Sequence, residues 1–124
     1  MRRVCRSAQP LDRMWEVIRI AVLVVVAVGV AAVAACSFRV HQYKSGFSMV
    51  KAGDTEAEVI SRLGEPSFRE RTGAQYLRYA TAGCNAPCAE RLWWEWPIVP
   101  GIEAWSVELG RDRKVLRTYH WLSP

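Results

Sequence analysis

The stretch Gly53-Asp54-Thr55-Glu56-Ala57-Glu58-Val59-Ile60-Ser61-Arg62-Leu63-Gly64-Glu65-Pro66 organises the chain. It reads as one short helix with both of its ends specified. Thr55 is an N-cap residue, and Glu58 three positions on completes a capping box. Glu56 and Glu58 place negative charge in the first turn, where the helix dipole favours it. Val59, Ile60 and Leu63 form an apolar stripe at helical spacing. Gly64 suits a left-handed position just past the helix, and Pro66 cannot extend it. Spacing alone fits a generic capped surface helix equally well.

The surroundings are more specific. An apolar segment ends in Cys36. Then come Phe47-x-x-Val50-x-x-Gly53-x-Thr55-x-x-x-Val59-x-x-x-Leu63-Gly64-x-Pro66 and a series of strand-like runs. This pattern resembles the SmpA/OmlA (BamE-like) family of small outer-membrane lipoproteins. The resemblance spans roughly Gly46 to His120. It is specific at Gly53, Thr55, Val59, Leu63, Gly64 and Pro66, and schematic beyond Pro66. Asp54 departs from it, because the family pattern usually has an apolar residue there. The resemblance implies an α+β fold of two short helices packed on a three-stranded antiparallel sheet, in the order ααβββ. It also implies a supporting role in outer-membrane protein assembly or envelope integrity, beside a β-barrel assembly complex.

A chain of 124 residues allows one domain. Residues 37–124 number 88, enough for a small two-layer core. The formal charge of +5 is unevenly placed: residues 1–36 hold five Arg against two acids, and residues 37–124 hold twelve Lys and Arg against ten. Nucleic-acid binding needs a clustered basic face. Here bases and acids interleave, which argues against it.

The N-terminus addresses the protein to a membrane. Ile20 to Phe38 is nineteen residues without a charge, long enough to span a bilayer. Arg2, Arg3, Arg6, Arg13 and Arg19 precede it, so the N-terminus is expected in the cytoplasm and the remainder exported. Val33-Ala34-Ala35 before Cys36 resembles a bacterial lipobox, with Cys36 as the lipidated residue. The alternative is a signal anchor that is never cut, and the long stretch before the apolar run favours it. Starting at Met14 instead gives a signal of twenty-two residues, an ordinary length. Residues 1–36 are thus a lipoprotein signal or a transmembrane anchor. Either way the expected address is the envelope of a Gram-negative bacterium, in the outer membrane facing the periplasm or in the inner membrane. Ser37, where inner-membrane lipoproteins commonly have Asp, leans to the outer.

Four cysteines are present: Cys5, Cys36, Cys84 and Cys88. Cys5 lies in the cytoplasmic or discarded part. Cys84 and Cys88 flank Asn85-Ala86-Pro87, a turn that holds the thiols close, and a disulfide fits an oxidising periplasm. Free thiols are the alternative. A metal site would need further ligands, and His41 and His120 lack the spacing. No metal, cofactor or small-molecule substrate is expected.

Residues 37–46 are polar without a sustained period and read as a tether. Residues 47–124 are then the folded domain. Within it, 47–52 is expected as a first short helix whose Phe47 and Val50 pack on Val59 and Leu63. Gln75–Ala80 reads as a strand. In Ile102–Leu109, Trp105, Val107 and Leu109 share one face against Ala104, Ser106 and Glu108, a strand with one buried face. Gly110-Arg111-Asp112-Arg113 is a turn, and Lys114–Trp121 returns as a strand.

Trp93, Trp94 and Trp96 fall within four residues and cannot share one face of a strand. Large aromatics complete small cores. They also anchor partners or dip into lipid headgroups. At least one of the three is expected to be exposed and to bind a partner. No phosphate loop, nucleophile elbow or zinc-protease motif occurs. The expectation is a binding domain and not an enzyme. The rivals are a single-pass inner-membrane protein serving another envelope partner, and an inhibitor-like binder, since β-lactamase inhibitor proteins use the same ααβββ layout.

Overall fold

The computed structural model describes residues 10–76, 78, 79 and 83–123. The N-terminal Arg2, Arg3, Arg6 and Cys5 therefore lie outside the described residues. The chain forms two units, Met1–Ala35 and Cys36–Pro124.

In the first unit the apolar run is helical. Helix α1 is Pro10–Phe47, opened by a proline whose missing N–H costs nothing at a first turn. Every residue from Leu11 to Ala35 is exposed. Among the described residues α1 is the one helix long and apolar enough to cross a membrane, and protein buries none of its apolar window.

In the second unit α1 continues through Cys36 to Phe47, so residues 37–46 are helix and not a tether. The reason is a stripe at Val40, Tyr43 and Phe47 that faces the core: Tyr43 is buried, and Val40 and Phe47 pack beside it. The expected helix at 47–52 does not form. The chain turns at Ser48–Met49 instead, with the Val50 N–H donating to the Phe47 carbonyl at 3.1 Å. Val50 is nevertheless buried in the same core as Val59 and Leu63. Gly46 sits where α1 meets α2 (Glu56–Leu63), and a Cβ there would stand 2.9 Å from the Arg62 carbonyl oxygen.

Helix α2 carries the expected ends. The Thr55 N–H donates to Glu58 Oε2 at 2.7 Å, and the Glu58 N–H donates to Thr55 Oγ1 at 3.3 Å. The Thr55 N–H and the Thr55 hydroxyl, both donating to Glu58 Oε2, hold the Glu58 carboxyl below its usual range. Gly64 follows at φ +79° and ψ −174°. The φ is positive as expected, but ψ is extended and not left-handed helical, a combination nearly confined to glycine. Val59 and Leu63 are fully buried, worth roughly 1.5–3 kcal/mol each. Asp54 has a local role: it accepts from the Lys51 N–H at 3.0 Å and from Arg62 at 2.5 Å, tying the approach of the helix to its last turn.

The sheet has four strands, β1 (Phe68–Arg71), β2 (Glu90–Glu95), β3 (Glu103–Leu109) and β4 (Val115–Leu122), in the order 1-2-3-4 and antiparallel throughout. The fold is α+β, with one long and one short helix and four strands in place of two and three. The β3–β4 hairpin is as expected. Two strands carry no strand pattern in the sequence. β1 reads Phe-Arg-Glu-Arg, too charged to signal a strand. β2 is the tryptophan segment, buried along nearly its whole length, so it shows no alternation. Conversely, Gln75, Tyr76, Arg78 and Tyr79 are not strand, and Leu77 and Ala80 lie outside the described residues.

The main core lies between the helices and one sheet face: Leu92, Trp94, Trp105, Val107, Leu109 and Val115 against Tyr43, Val50, Val59 and Leu63. The approach to α2 is fastened to β4. The Gly53 N–H donates to the Val115 carbonyl, the Val115 N–H to the Asp54 carbonyl, and the Glu56 N–H to the Arg113 carbonyl, at 2.8–3.0 Å.

Candidate functional site

The face of the sheet away from the helices is the part not explained by core packing alone. Sequence alternation predicts Ala104, Ser106 and Glu108 on a solvated face, but all three are buried. The segment between β1 and β2 covers them. Tyr79 stacks on Trp93 with centroids 5.0 Å apart, and Tyr76 lies between Trp93 and the exposed Phe68. Cys84 and Cys88 close part of that segment at disulfide-bonding distance, with sulfurs 2.12 Å apart.

Beneath this cover lies a charged network. Glu70 accepts from the Trp93 indole N–H at 2.8 Å and from the Cys84 N–H at 2.9 Å. Glu108 pairs with Arg91 and accepts from Arg117 Nε at 2.9 Å. Arg91 also lies over the rings of Trp93 and Tyr119, 5.6 Å from each centroid. Charges buried this deeply persist only when paired and hydrogen-bonded. Two carboxylates and two guanidiniums leave the group neutral. An open hollow of about 240 Å³ sits above it, lined among others by Asn85, Arg117, Tyr119 and Trp121. Arg117 is more than half exposed, and Tyr119 and Trp121 are half-buried. The arrangement offers Arg and aromatic contact surface around a shallow depression.

Sequence reasoning missed these residues, although Arg117, Tyr119 and Trp121 alternate along β4. Glu108 opposite Arg91 and Arg117 emerges only from the strand register.

The tryptophans divide as their spacing requires, but not as expected for binding. Trp94 points to the helix side and Trp93 to the other, and both are fully buried. Neither can anchor a partner. β2 is a central strand, and each of its faces is covered. Trp96, past the strand end, is half-buried. Cys36 is half-buried in α1 with its thiol free. His120 lies on the sheet surface, stacked on Trp105 and 2.8 Å from Glu103. Among the described residues no group of three or more His, Cys, Asp or Glu side chains stands close enough to hold a metal.

A second cluster gathers on Glu95, which accepts from the Tyr76 hydroxyl at 2.5 Å and the Tyr79 hydroxyl at 3.2 Å, and pairs with Arg78 at 3.1 Å. Burial, reinforced by the Glu95 carboxylate, pushes both phenols up to about 12. The ordinary value is 10.0, so the folded state holds these protons more tightly than the unfolded chain. The stabilisation is complete below pH 10 and is lost as pH rises from there through 12. Absorbance titration of the tyrosinates should show a late component near pH 12 that disappears in Tyr76→Phe/Tyr79→Phe. A single phase finished below pH 11 in the folded protein would contradict this arrangement.

Comparison with protein-family models, with curated proteins and with solved structures finds no match to this chain.

Proposed function

We propose that this chain is a membrane-anchored domain of the Gram-negative envelope that acts by binding a protein partner. Consistent with its resemblance to SmpA/OmlA lipoproteins, its role is to support outer-membrane protein assembly or envelope integrity. Cys36 carries the lipid anchor in this reading, and the cysteine pair matches an oxidising periplasm. The observation that carries the reading is the helix-free sheet face. Arg117, Tyr119 and Trp121 surround a hollow there, and Arg, Tyr and Trp are the residues that dominate hot spots. This face takes over the binding role that Trp93 and Trp94 cannot fill.

Two measurements test it. Intact mass reads the anchor: Cys36→Ser should leave a heavier, unprocessed precursor. Photocrosslinking from position 117 in intact cells reads the partner, and the β-barrel assembly complex is the expected capture. Arg117→Ala should weaken that capture about thirtyfold, the lower end of the hot-spot range, while the domain stays folded because Glu108 keeps Arg91. An unchanged mass together with capture of inner-membrane proteins alone would replace this reading with the uncut, single-pass form.

A further inference from the structure

The β2–β3 connection and the end of β4 form an apolar tip. Ile98, Val99, Ile102 and Leu122 are 49%, 43%, 42% and 67% exposed, beside half-buried Trp96. The tip is held in shape. The Trp96 N–H donates to the Glu103 carbonyl at 2.9 Å, the Ser123 N–H to the Ile102 carbonyl at 2.8 Å, and the Gly101 N–H to the Tyr79 hydroxyl at 3.2 Å. Pro97 and Pro100 stiffen it further. A solvated loop has no use for four fixed aliphatic side chains, so this patch needs a covering.

The chain itself indicates what covers it. Within the Cys36–Pro124 unit, Lys44 of α1 pairs with Glu103 at 3.4 Å and Tyr43 contacts Trp105 at 5.7 Å. Further along, Gly53 bonds to Val115 at the opposite end of the sheet. Helix α2 runs from Thr55, paired with Lys114 at the hairpin end, to Gly64, whose carbonyl accepts from the Trp94 indole at the other end. Gly46 meets Arg62 inside α2, whereas Arg39 lines a hollow with Gly64 and Glu65 beyond it, so the residues upstream of Lys44 run toward the tip end of the sheet. Cys36 and Phe38 lie only eight and six residues upstream, roughly 12 and 9 Å along a helix. Whether the anchor is lipid on Cys36 or an uncut apolar run ending near Phe38, the anchored end of this unit is the end that carries the tip. Glu95 and Glu103, which flank the tip, are shielded and ion-paired with Arg78 and Lys44.

The geometry points to a membrane-seating surface: Trp96, Ile98, Val99, Ile102 and Leu122 dip into the headgroup–acyl boundary of the bilayer that holds the anchor. Trp at the rim and aliphatic side chains at the centre match the composition of interfacial contacts. This inference rests on the membrane-anchor reading above, but it does not depend on which protein the sheet face binds.

The test uses the full chain reconstituted into phosphatidylcholine vesicles, with and without bromine near the headgroup end of the acyl chains. Flotation reads the anchor. The emission difference between wild type and Trp96→Phe isolates Trp96, and bromolipid should quench it by more than half. Ile98→Asp/Val99→Asp, whose side chains are not core, should reduce that quenching at least threefold while leaving flotation and the thermal midpoint unchanged. Flotation without quenching of Trp96 overturns the tip and leaves the anchor standing. Failure to float overturns both.

Discussion

Trp94→Ala should unfold most of the Cys36–Pro124 unit. The indole is fully buried in the main core, and its N–H donates to the Gly64 carbonyl at 3.0 Å. Truncating a buried Trp to Ala costs about 3–5 kcal/mol through lost contacts and the cavity left behind. Losing the hydrogen bond strands the Gly64 carbonyl and adds about 1 kcal/mol. A small domain holds about 5–15 kcal/mol in total, and one of this size belongs toward the lower end. The truncation therefore consumes most of the stability. Gly64 also lies next to α2, so the loss propagates into the helix that anchors the core. Urea unfolding of the full chain in detergent should show a large drop in midpoint. Ile98→Ala, in the β2–β3 connection and 49% exposed, should stay within about 0.5 kcal/mol of wild type, as surface changes usually do. Equal effects from the two substitutions would mean that β2 does not sit as described.

Arg91→Met should be nearly as damaging, for an electrostatic reason. Arg91 is 4% exposed and pairs with Glu108, itself 2% exposed, with Glu70 3.8 Å away. Removing one partner of a buried pair costs about 3–5 kcal/mol, because the remaining charge stays in a poorly polarisable interior. Two features pull this value toward the lower end. Glu108 keeps Arg117, and Glu70 keeps its bonds from Trp93 and Cys84. Adding Glu108→Leu to Arg91→Met should recover a large part of the loss, since well-packed apolar replacements of buried pairs are often neutral. A double variant no more stable than Arg91→Met alone would show that packing of the Arg91 stem on Trp93 and Tyr119 outweighs the Arg91–Glu108 pair.

The elements readable from the sequence are those encoded within a few residues. Thr55 and Glu58 specify the start of α2 because their partners are three positions apart in the chain. Gly64 and Pro66 specify its end by backbone preference alone. The turn after Leu109 and the alternation on either side of it specify the hairpin, and the three-residue gap between Cys84 and Cys88 brings their sulfurs together. The apolar run from Ile20 to Phe38 announces a helix that protein does not cover. What local pattern could not determine is which faces are covered, because that depends on segments far away in the chain. β2 shows no alternation because α1 and α2 cover one face and the segment after β1 covers the other. The same covering buries Trp93 and Trp94, which local pattern left free to bind, and withdraws Ala104, Ser106 and Glu108 from solvent. Residues 37–46 are helix because Val40, Tyr43 and Phe47 find a sheet to pack against, and their stripe has little meaning without it. Glu108 between Arg91 and Arg117 is a fact of strand register, which brings three distant charges together. Burial and pairing are properties of the assembled layers, so tertiary structure alone decided which aromatic and charged side chains stay open to solvent.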